Sequence, residues 1–464
     1  MEVEIISREI IRSGAFQRDQ HQKSFHLSLL DIYIHGIEVY TPIILFYSTN
    51  KNQSNNNENT ISSLKLSLSE TLARFPMLAG RIKGNFVHYC SSNNGALFVE
   101  ASVKASMADF LRNPSPEFLA KLLPFPDLYS TEPLETAVQV AVQVNFFSCG
   151  TGIAMGFSFL HKIIDGTTMS AFIKSWAALE KLACGSYEAS SSLFPAKEIS
   201  ANNNDLVFPK SPFLEAQPKH CSIKRFVFDA MAVSNLKVRA KSQIVSNPTS
   251  VEAVTCFIWK HAMKAASTFK SLDKKEVIGN GEKGSCVDTK SGSLLVHTLN
   301  MRRRIQPPLS EYDVGNIFWT SRAYYEASNT NINLGDLETI LRQSFLEITN
   351  DFIPKATGDD GFETILSSLH QLHESYAKAS ESYAFSSWCN MGLNRVNFGW
   401  DKPIWIAIGT KANESPVNMI LLMDRASGEG IEAWITLDDK TMNLLENDYE
   451  FLEFASPNPS ITLD

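Results

Sequence analysis

A histidine and an aspartate stand four residues apart in HKIIDG, residues 161–166. A long apolar run precedes them and a segment with helical spacing follows, so His161 and Asp165 fall at a strand-loop-helix junction. Proteins of the α/β class present catalytic groups at the carboxyl ends of their strands. Free imidazole titrates near pH ~6.5 and accepts a proton at neutral pH. A histidine so placed suits general-base chemistry, in which a hydroxyl is deprotonated as it attacks a carbonyl. Asp165 either touches the imidazole or orients the loop by pairing with a cation elsewhere, and the spacing leaves both open. With 10 histidines in the chain, H-x-x-x-D also arises by chance, as a surface histidine and a helix N-cap aspartate. The turn Cys149-Gly150-Thr151-Gly152 precedes the same strand. No Lys-Ser/Thr follows it, which excludes a nucleotide P-loop, and close strand packing accounts for its glycines.

The elements that must hold these residues are readable from periodicity. Two continuous apolar runs over 136–160 read as strands buried on both faces. A helix starts near Gly166 and runs through Phe172 and Trp176 toward Leu182. Residues 42–47 read as another buried strand. Leu64, Leu68, Leu72 and Phe75 recur at helical spacing, and Pro76 ends that helix. Residues 85–100 read as a hairpin around Ser-Asn-Asn-Gly. Beyond a Ser/Asn/Pro-rich stretch, regular structure resumes at KRFVFD (224–229). A helix follows with Val251, Val254, Ile258 and Trp259, and 271–292 reads as a Gly/Lys/Asp loop. A strand around 403–408 and a hairpin over 419–437 close the chain.

The chain has 464 residues, a formal charge of −8 and 44% hydrophobic residues. That length predicts two domains. The acidic balance argues against a nucleic-acid partner, which would need a basic face. No apolar run reaches the ~18 residues of a membrane helix, and the amino terminus does not read as a secretory signal. The seven scattered cysteines form no CxxC pair and predict free thiols in the cytoplasm. No metal site is expected.

Nine blocks in fixed order carry a resemblance: LSLLD (27–31), PIILFY (42–47), LKLSLSETLARFPMLAGR (64–81), the long run ending in FLHKIIDGTTMSAFIKSWA (142–177), KRFVFD, VEAVTCFIWK (251–260), LNMRRRIQPPLSEYDVGN (299–316), SSWCNMGLNRVNFGWDKP (386–403) and GEGIEAW (428–434). The sequence resembles the BAHD family of plant acyl-CoA-dependent acyltransferases nearly end to end. Within it, the chain looks most like the clade of vinorine synthase and salutaridinol acetyltransferase, which acylate alkaloids.

The resemblance implies an α/β fold of two chloramphenicol-acetyltransferase-like domains. Each has a mixed β-sheet flanked by helices, and the active-site channel lies at their interface. Residues 1–185 would form the first domain, 186–222 a crossover and 223–464 the second, with part of 380–405 packing on the first. His161 would be the general base, with acyl-CoA entering one mouth and an alcohol the other. Thioesters are activated, so one base and one oxyanion donor suffice without a covalent enzyme intermediate. The resemblance assigns Asp165 to holding the loop through an arginine. Ser386 would donate to the oxyanion and Trp388 would wall the acceptor site. Thr249 and Ser250 would meet CoA phosphates, whereas Lys237, Arg239 and Lys241 read as a solvated helix face.

The family's DFGWG motif is altered to Asn397, Phe398, Gly399, Trp400 and Asp401. Its aspartate would pair with an arginine of the NMRRR block, taken as Arg302, and Asn397 cannot. The expected protein is a cytoplasmic monomer without bound cofactor. It would use acyl-CoA as co-substrate to acetylate a small-molecule alcohol, an alkaloid first of all. A malonyl donor met by Arg425, or a non-catalytic scaffold that keeps the fold, are the alternatives.

Overall fold

The computed structural model describes residues 1–14, 23–33, 39–49, 57–89, 94–130, 132–148, 152–180, 221–279, 290–326, 332–410 and 418–462. The first half contains β1 (Val3–Ile11), β2 (Lys23–His26), α1 (Leu29–Tyr33), β3 (Tyr40–Ser48), α2 (Asn57–Arg74) and α3 (Pro76–Ala79). It continues through β4 (Arg81–Lys83), β5 (Phe86–Tyr89), β6 (Ala96–Val103), α4 (Met107–Arg112), α5 (Pro116–Lys121), β7 (Val140–Phe147), β8 (Gly152–Leu160) and α6 (Gly166–Glu180). The second half holds β9 (Cys221–Phe228), α7 (Ala230–Arg239), α8 (Ser250–Gly279), β10 (Ser291–Asn300), β11 (Phe318–Tyr325) and α9 (Leu334–Glu347). After it come α10 (Ile353–Ala356), α11 (Gly361–Lys378), β12 (Ala379–Ser387), β13 (Trp405–Ala407), β14 (Met419–Asp424) and β15 (Ile431–Asp438).

Two large mixed sheets result. The first runs β1-β6-β7-β8-β3-β13, and the second places β10 between β11 and β12. Every residue of β7 and β8 is buried because helices and loops cover both faces. On one face, Phe157 meets Trp176 and Phe159 meets Phe172 of α6. On the other, Gly156 admits the Leu122 carbonyl so closely that a Cβ would stand 2.0 Å from it. Gly152 likewise abuts Met107 and the Tyr47 carbonyl, as the close-packing reading of that turn requires. The turn's other residues, Gly150 and Thr151, lie outside the described residues. In the second sheet, Trp259 of α8 donates to Ser293 on one face, and Leu372 of α11 packs with Leu294 and Val296 on the other.

Two sequence expectations fail. The 85–100 hairpin does not form: β5 pairs with β2 and β4 in a small sheet, whereas β6 pairs with β1 and β7 in the large one. Two adjacent apolar runs were compatible with both arrangements, and long-range pairing decides. Within the expected 271–292 loop, 271–279 continue α8 and 291–292 open β10, while 280–289 lie outside the described residues. The helical Lys- and Asp-rich end of α8 has no apolar stripe to reveal it. The crossover over 186–222 lies outside the described residues apart from Cys221 and Ser222, which already belong to β9. Residues 380–405 divide. β12 stays in the second sheet, and the chain beyond it crosses to the first, where Trp405 pairs opposite Phe46 of β3.

Candidate active site

β8 delivers His161 to the interface between the two halves, and the segment from Thr298 to Phe318 meets it from the other side. The HKIIDG loop is clamped chiefly by that segment, with Thr168 of its own helix adding one bond. Asp165 Oδ1 accepts from the Thr168 N–H at 2.8 Å and from Arg302 Nη2 at 3.2 Å. Its Oδ2 accepts from Arg302 Nη1 at 2.6 Å and from the Ile317 N–H at 3.1 Å. Arg302 donates further to the carbonyls of Asp313 and Gly315. Both side chains are buried. Asp165 is therefore saturated and holds the loop; no bond joins it to the imidazole. The bridge between Ile164 and Gly315 completes the clamp, and Gly315, with φ 137°, is where the chain must be glycine to turn.

This geometry corrects one assignment. Arg302 belongs to Asp165, not to the altered DFGWG motif. Asn397 Oδ1 instead accepts from the Gly399 N–H at 2.8 Å, a local turn that asparagine and aspartate both make. Phe398 packs edge-on to Trp176 and Trp400 edge-on to Tyr47, so the motif braces β3 and α6. With Arg302 already paired to Asp165, Asn397→Asp is expected to shift the melting temperature by less than ~2 °C and to leave kcat within about twofold. Differential scanning calorimetry and steady-state assays measure both.

The imidazole has its own partner, which sequence reasoning missed. His161 Nδ1 lies 3.1 Å from Asn316 Oδ1. The orientation of that amide is fixed by its nitrogen, which donates to the carbonyls of His161 and Lys162 and to Asp31 Oδ1. All three are acceptors, so Oδ1 must be the atom facing the ring, and Nδ1 must carry the proton. In the neutral ring the lone pair then falls on Nε2, the tautomer a general base requires. Phe318 meets the ring edge-on at 5.9 Å. Lys162, also buried, donates to the Asp31 carbonyl at 2.7 Å and ties the loop to α1.

His161 opens on a half-open cleft of about 80 Å³ that Ser386, Trp388, Thr298 and Thr41 also line. Thr298 Oγ1 lies 3.1 Å from Ser386 Oγ as donor, which leaves the Ser386 hydroxyl hydrogen available to the cleft. Gly166 has no side chain to displace Trp388, whose indole nitrogen stands 3.1 Å from where a Cβ would be. Asn300 donates to Thr167 at 2.7 Å and bridges the two halves at the cleft wall.

Thr249 and Ser250 are elsewhere, at the N-terminus of α8. The Thr249 N–H donates to Glu252 Oε2 and Thr249 Oγ1 accepts from the Glu252 N–H, a reciprocal cap. Arg342 grips the same carboxylate with two bonds. Burial opposes ionisation of Glu252, but Arg342 and Thr249 outweigh it and hold the carboxyl below its ordinary range. Thr249 thus has a capping job, and a CoA phosphate here would share the helix end with a carboxylate. Arg239 pairs with Glu453 on the exposed end of α7, in keeping with a solvated face. Arg425 is not in the cleft wall and lies within electrostatic reach of the buried Arg225–Glu432 pair.

The Transferase family model matches residues 1–452. The chain belongs to the BAHD family of acyltransferases. Epi-neemfruitin B 7-O-acetyltransferase of Melia azedarach is 37% identical, over 99% of this chain and 100% of the relative. Salutaridinol 7-O-acetyltransferase of Papaver somniferum is 32% identical, over 96% of each. Vinorine synthase superposes with a TM-score of 0.75 at 29% identity, covering 98% of this chain and 99% of that structure. The Fusarium graminearum TRI101 structure complexed with coenzyme A and T-2 mycotoxin shares the two-domain fold, at a TM-score of 0.71 and 17% identity. As a member of the BAHD family the chain is an acyl-CoA-dependent O-acyltransferase. Among the described residues no helix is long and apolar enough to cross a membrane.

Proposed function

We propose that this BAHD enzyme transfers an acetyl group from acetyl-CoA to a hydroxyl of a bulky polycyclic plant metabolite, with His161 as the base. The observation that carries the reading is the unprotonated Nε2 of His161 in a cleft shared with the Ser386 hydroxyl. The acceptor hydroxyl loses its proton to Nε2 as its oxygen attacks the thioester carbonyl. Ser386 donates to the oxyanion, Trp388 walls the acceptor, and collapse of the tetrahedral intermediate expels CoA thiolate, which takes up the proton from His161.

Acetyl is favoured over malonyl because Arg425, the cation offered for a carboxylated donor, stands apart from the cleft. Relatives named as limonoid and salutaridinol acetyltransferases support a rigid polycyclic alcohol. The free thiols of Cys221, Cys256 and Cys389 fit a reducing compartment, and the reading is of a cytoplasmic monomer with small-molecule partners alone. Thr249 and Ser250 remain in it only as candidates for the CoA phosphates.

The test follows free thiol release with acetyl-CoA or malonyl-CoA across a panel of limonoid and alkaloid alcohols. Turnover with acetyl-CoA on a polycyclic alcohol is expected. Equal or better turnover with malonyl-CoA, or release only with small acyclic alcohols, would overturn the reading.

A further inference from the structure

The LSLLD block has no place in the chemistry so far, yet it ends on the most deeply buried carboxylate near the site. Asp31 has no exposed surface. Its Oδ2 accepts from the N–H and the hydroxyl of Ser28, at 3.1 and 2.5 Å. Its Oδ1 accepts from the backbone N–H and the side-chain amide of Asn316, at 2.8 and 3.0 Å. Three of these donors are N–H groups that only an acceptor can satisfy. Burial raises the Asp31 pKa, and the Ser28, Asn316 and Lys162 contacts act against that rise. The net shift is upward, and it is the four donors converging on its two oxygens that hold the carboxyl as an acceptor at the back of the amide facing His161.

We infer that Asp31 is a positioning residue for acyl transfer, acting through Asn316 to fix the ring and tautomer of His161. The carbonyls of His161 and Lys162 draw the Asn316 nitrogen away from the imidazole, and Asp31 adds the one charged acceptor that reinforces them. The anion at Asp31 rewards only the orientation in which nitrogen points back and oxygen points at the ring. That orientation places the proton on Nδ1 and the lone pair on Nε2. The chain Asp31–Asn316–His161 then does what a directly bonded carboxylate does in other base-catalysed enzymes. It also sets a carboxylate two hydrogen bonds behind the imidazole, which favours the imidazolium formed during transfer.

The charged groups around the loop are few. Lys162 donates to the α1 carbonyls beside Asp31, and Asp165 with Arg302, flanked by Asp313, lies on the other side of the loop. The pair is internally neutralised. Asp31→Asn therefore removes charge without removing bulk, and it offers Asn316 a donor where an acceptor stood.

The inference rests on His161 being the base, so the experiment separates the two. Uniformly 15N-histidine-labelled enzyme, with the His161 resonances assigned by a His161→Gln control, reports the tautomer without turnover. Wild type is expected in the Nδ1–H form, and Asp31→Asn is expected to mix the two tautomers. In steady-state assays Asp31→Asn is expected to lower kcat by about 10–100-fold with KM for acetyl-CoA within about threefold. The acid limb of its kcat/KM profile is expected to move to lower pH by on the order of half a unit to one unit, because loss of the anion disfavours imidazolium. Should Asp31→Asn fail to fold, Asn316→Ala breaks the same link while leaving Ser28 on Asp31, and the same fall in kcat is expected. Ser28→Ala keeps charge and link, and its acid limb should stay in place. A folded Asp31→Asn enzyme with wild-type tautomer and an unmoved limb would overturn the inference, whatever its kcat. An active His161→Ala enzyme would overturn the base while leaving the tautomer result standing.

Discussion

His161→Ala is expected to abolish acyl transfer, with kcat reduced by at least ~10²–10⁴-fold, the range a positioned general base contributes. The loss has a direct cause. Nε2 of His161 is the one ring nitrogen left without a proton by the Asn316 contact, and alanine offers no acceptor in its place. Acyl-CoA affinity should be nearly unchanged, since the imidazole is a small part of the cleft wall. Stability should fall modestly. Asn316 Oδ1 loses its donor, and an unpaired buried acceptor costs about 1–3 kcal/mol, but its amide nitrogen keeps three acceptors. Single-turnover thiol release and a melting curve on the same preparation check both. A variant retaining more than about a tenth of wild-type kcat on a good acceptor would remove His161 from the role of base.

The site was legible in the sequence where it is local and hidden where it is not. HKIIDG declared itself through context, because a fully buried strand and a helix bracket it within a few residues. The partners that hold its histidine lie far off. Asn316 is 155 residues from His161, and Asp31 is 285 from Asn316. Periodicity carries no information at such separations. Both stood in quoted blocks, LSLLD and DVGN, and the usable signal was a carboxylate and an amide inside otherwise apolar or turn-like stretches. The same limit explains the misplaced Arg302. Three consecutive arginines were visible at 302–304, but which of two aspartate-bearing motifs one of them would meet depended on how the halves close. β5 and β6 went wrong for the same reason at the level of sheets: each run was read correctly as a strand, and neighbours in sequence were taken for neighbours in space.

Asp165→Ala should cost stability and rate together, and the proportion is informative. The substitution strips Arg302 of both its charged bonds and leaves a buried guanidinium facing three uncharged acceptors, Thr168 Oγ1 and the carbonyls of Asp313 and Gly315. It also orphans the N–H groups of Thr168 and Ile317. Breaking a buried ion pair by removing one partner typically costs about 3–5 kcal/mol. At roughly 2–4 °C per kcal/mol for domains of this size, the melting temperature should fall by roughly 6–20 °C. The rate falls because the clamp and the base share a segment: Gly315 bridges Ile164, and the next residue is Asn316. Loosening Asp313 to Ile317 lets the amide drift from Nδ1, and small misplacements of a catalytic group cost on the order of tenfold to a hundredfold. The double variant Asp165→Leu with Arg302→Met tests the electrostatic part. It removes both charges and keeps most of the volume, so it should melt above the single Asp165→Ala variant. If Asp165→Ala instead lost all turnover while melting like wild type, the carboxylate would have to act on the imidazole or the substrate directly, and its assignment to holding the loop would fall.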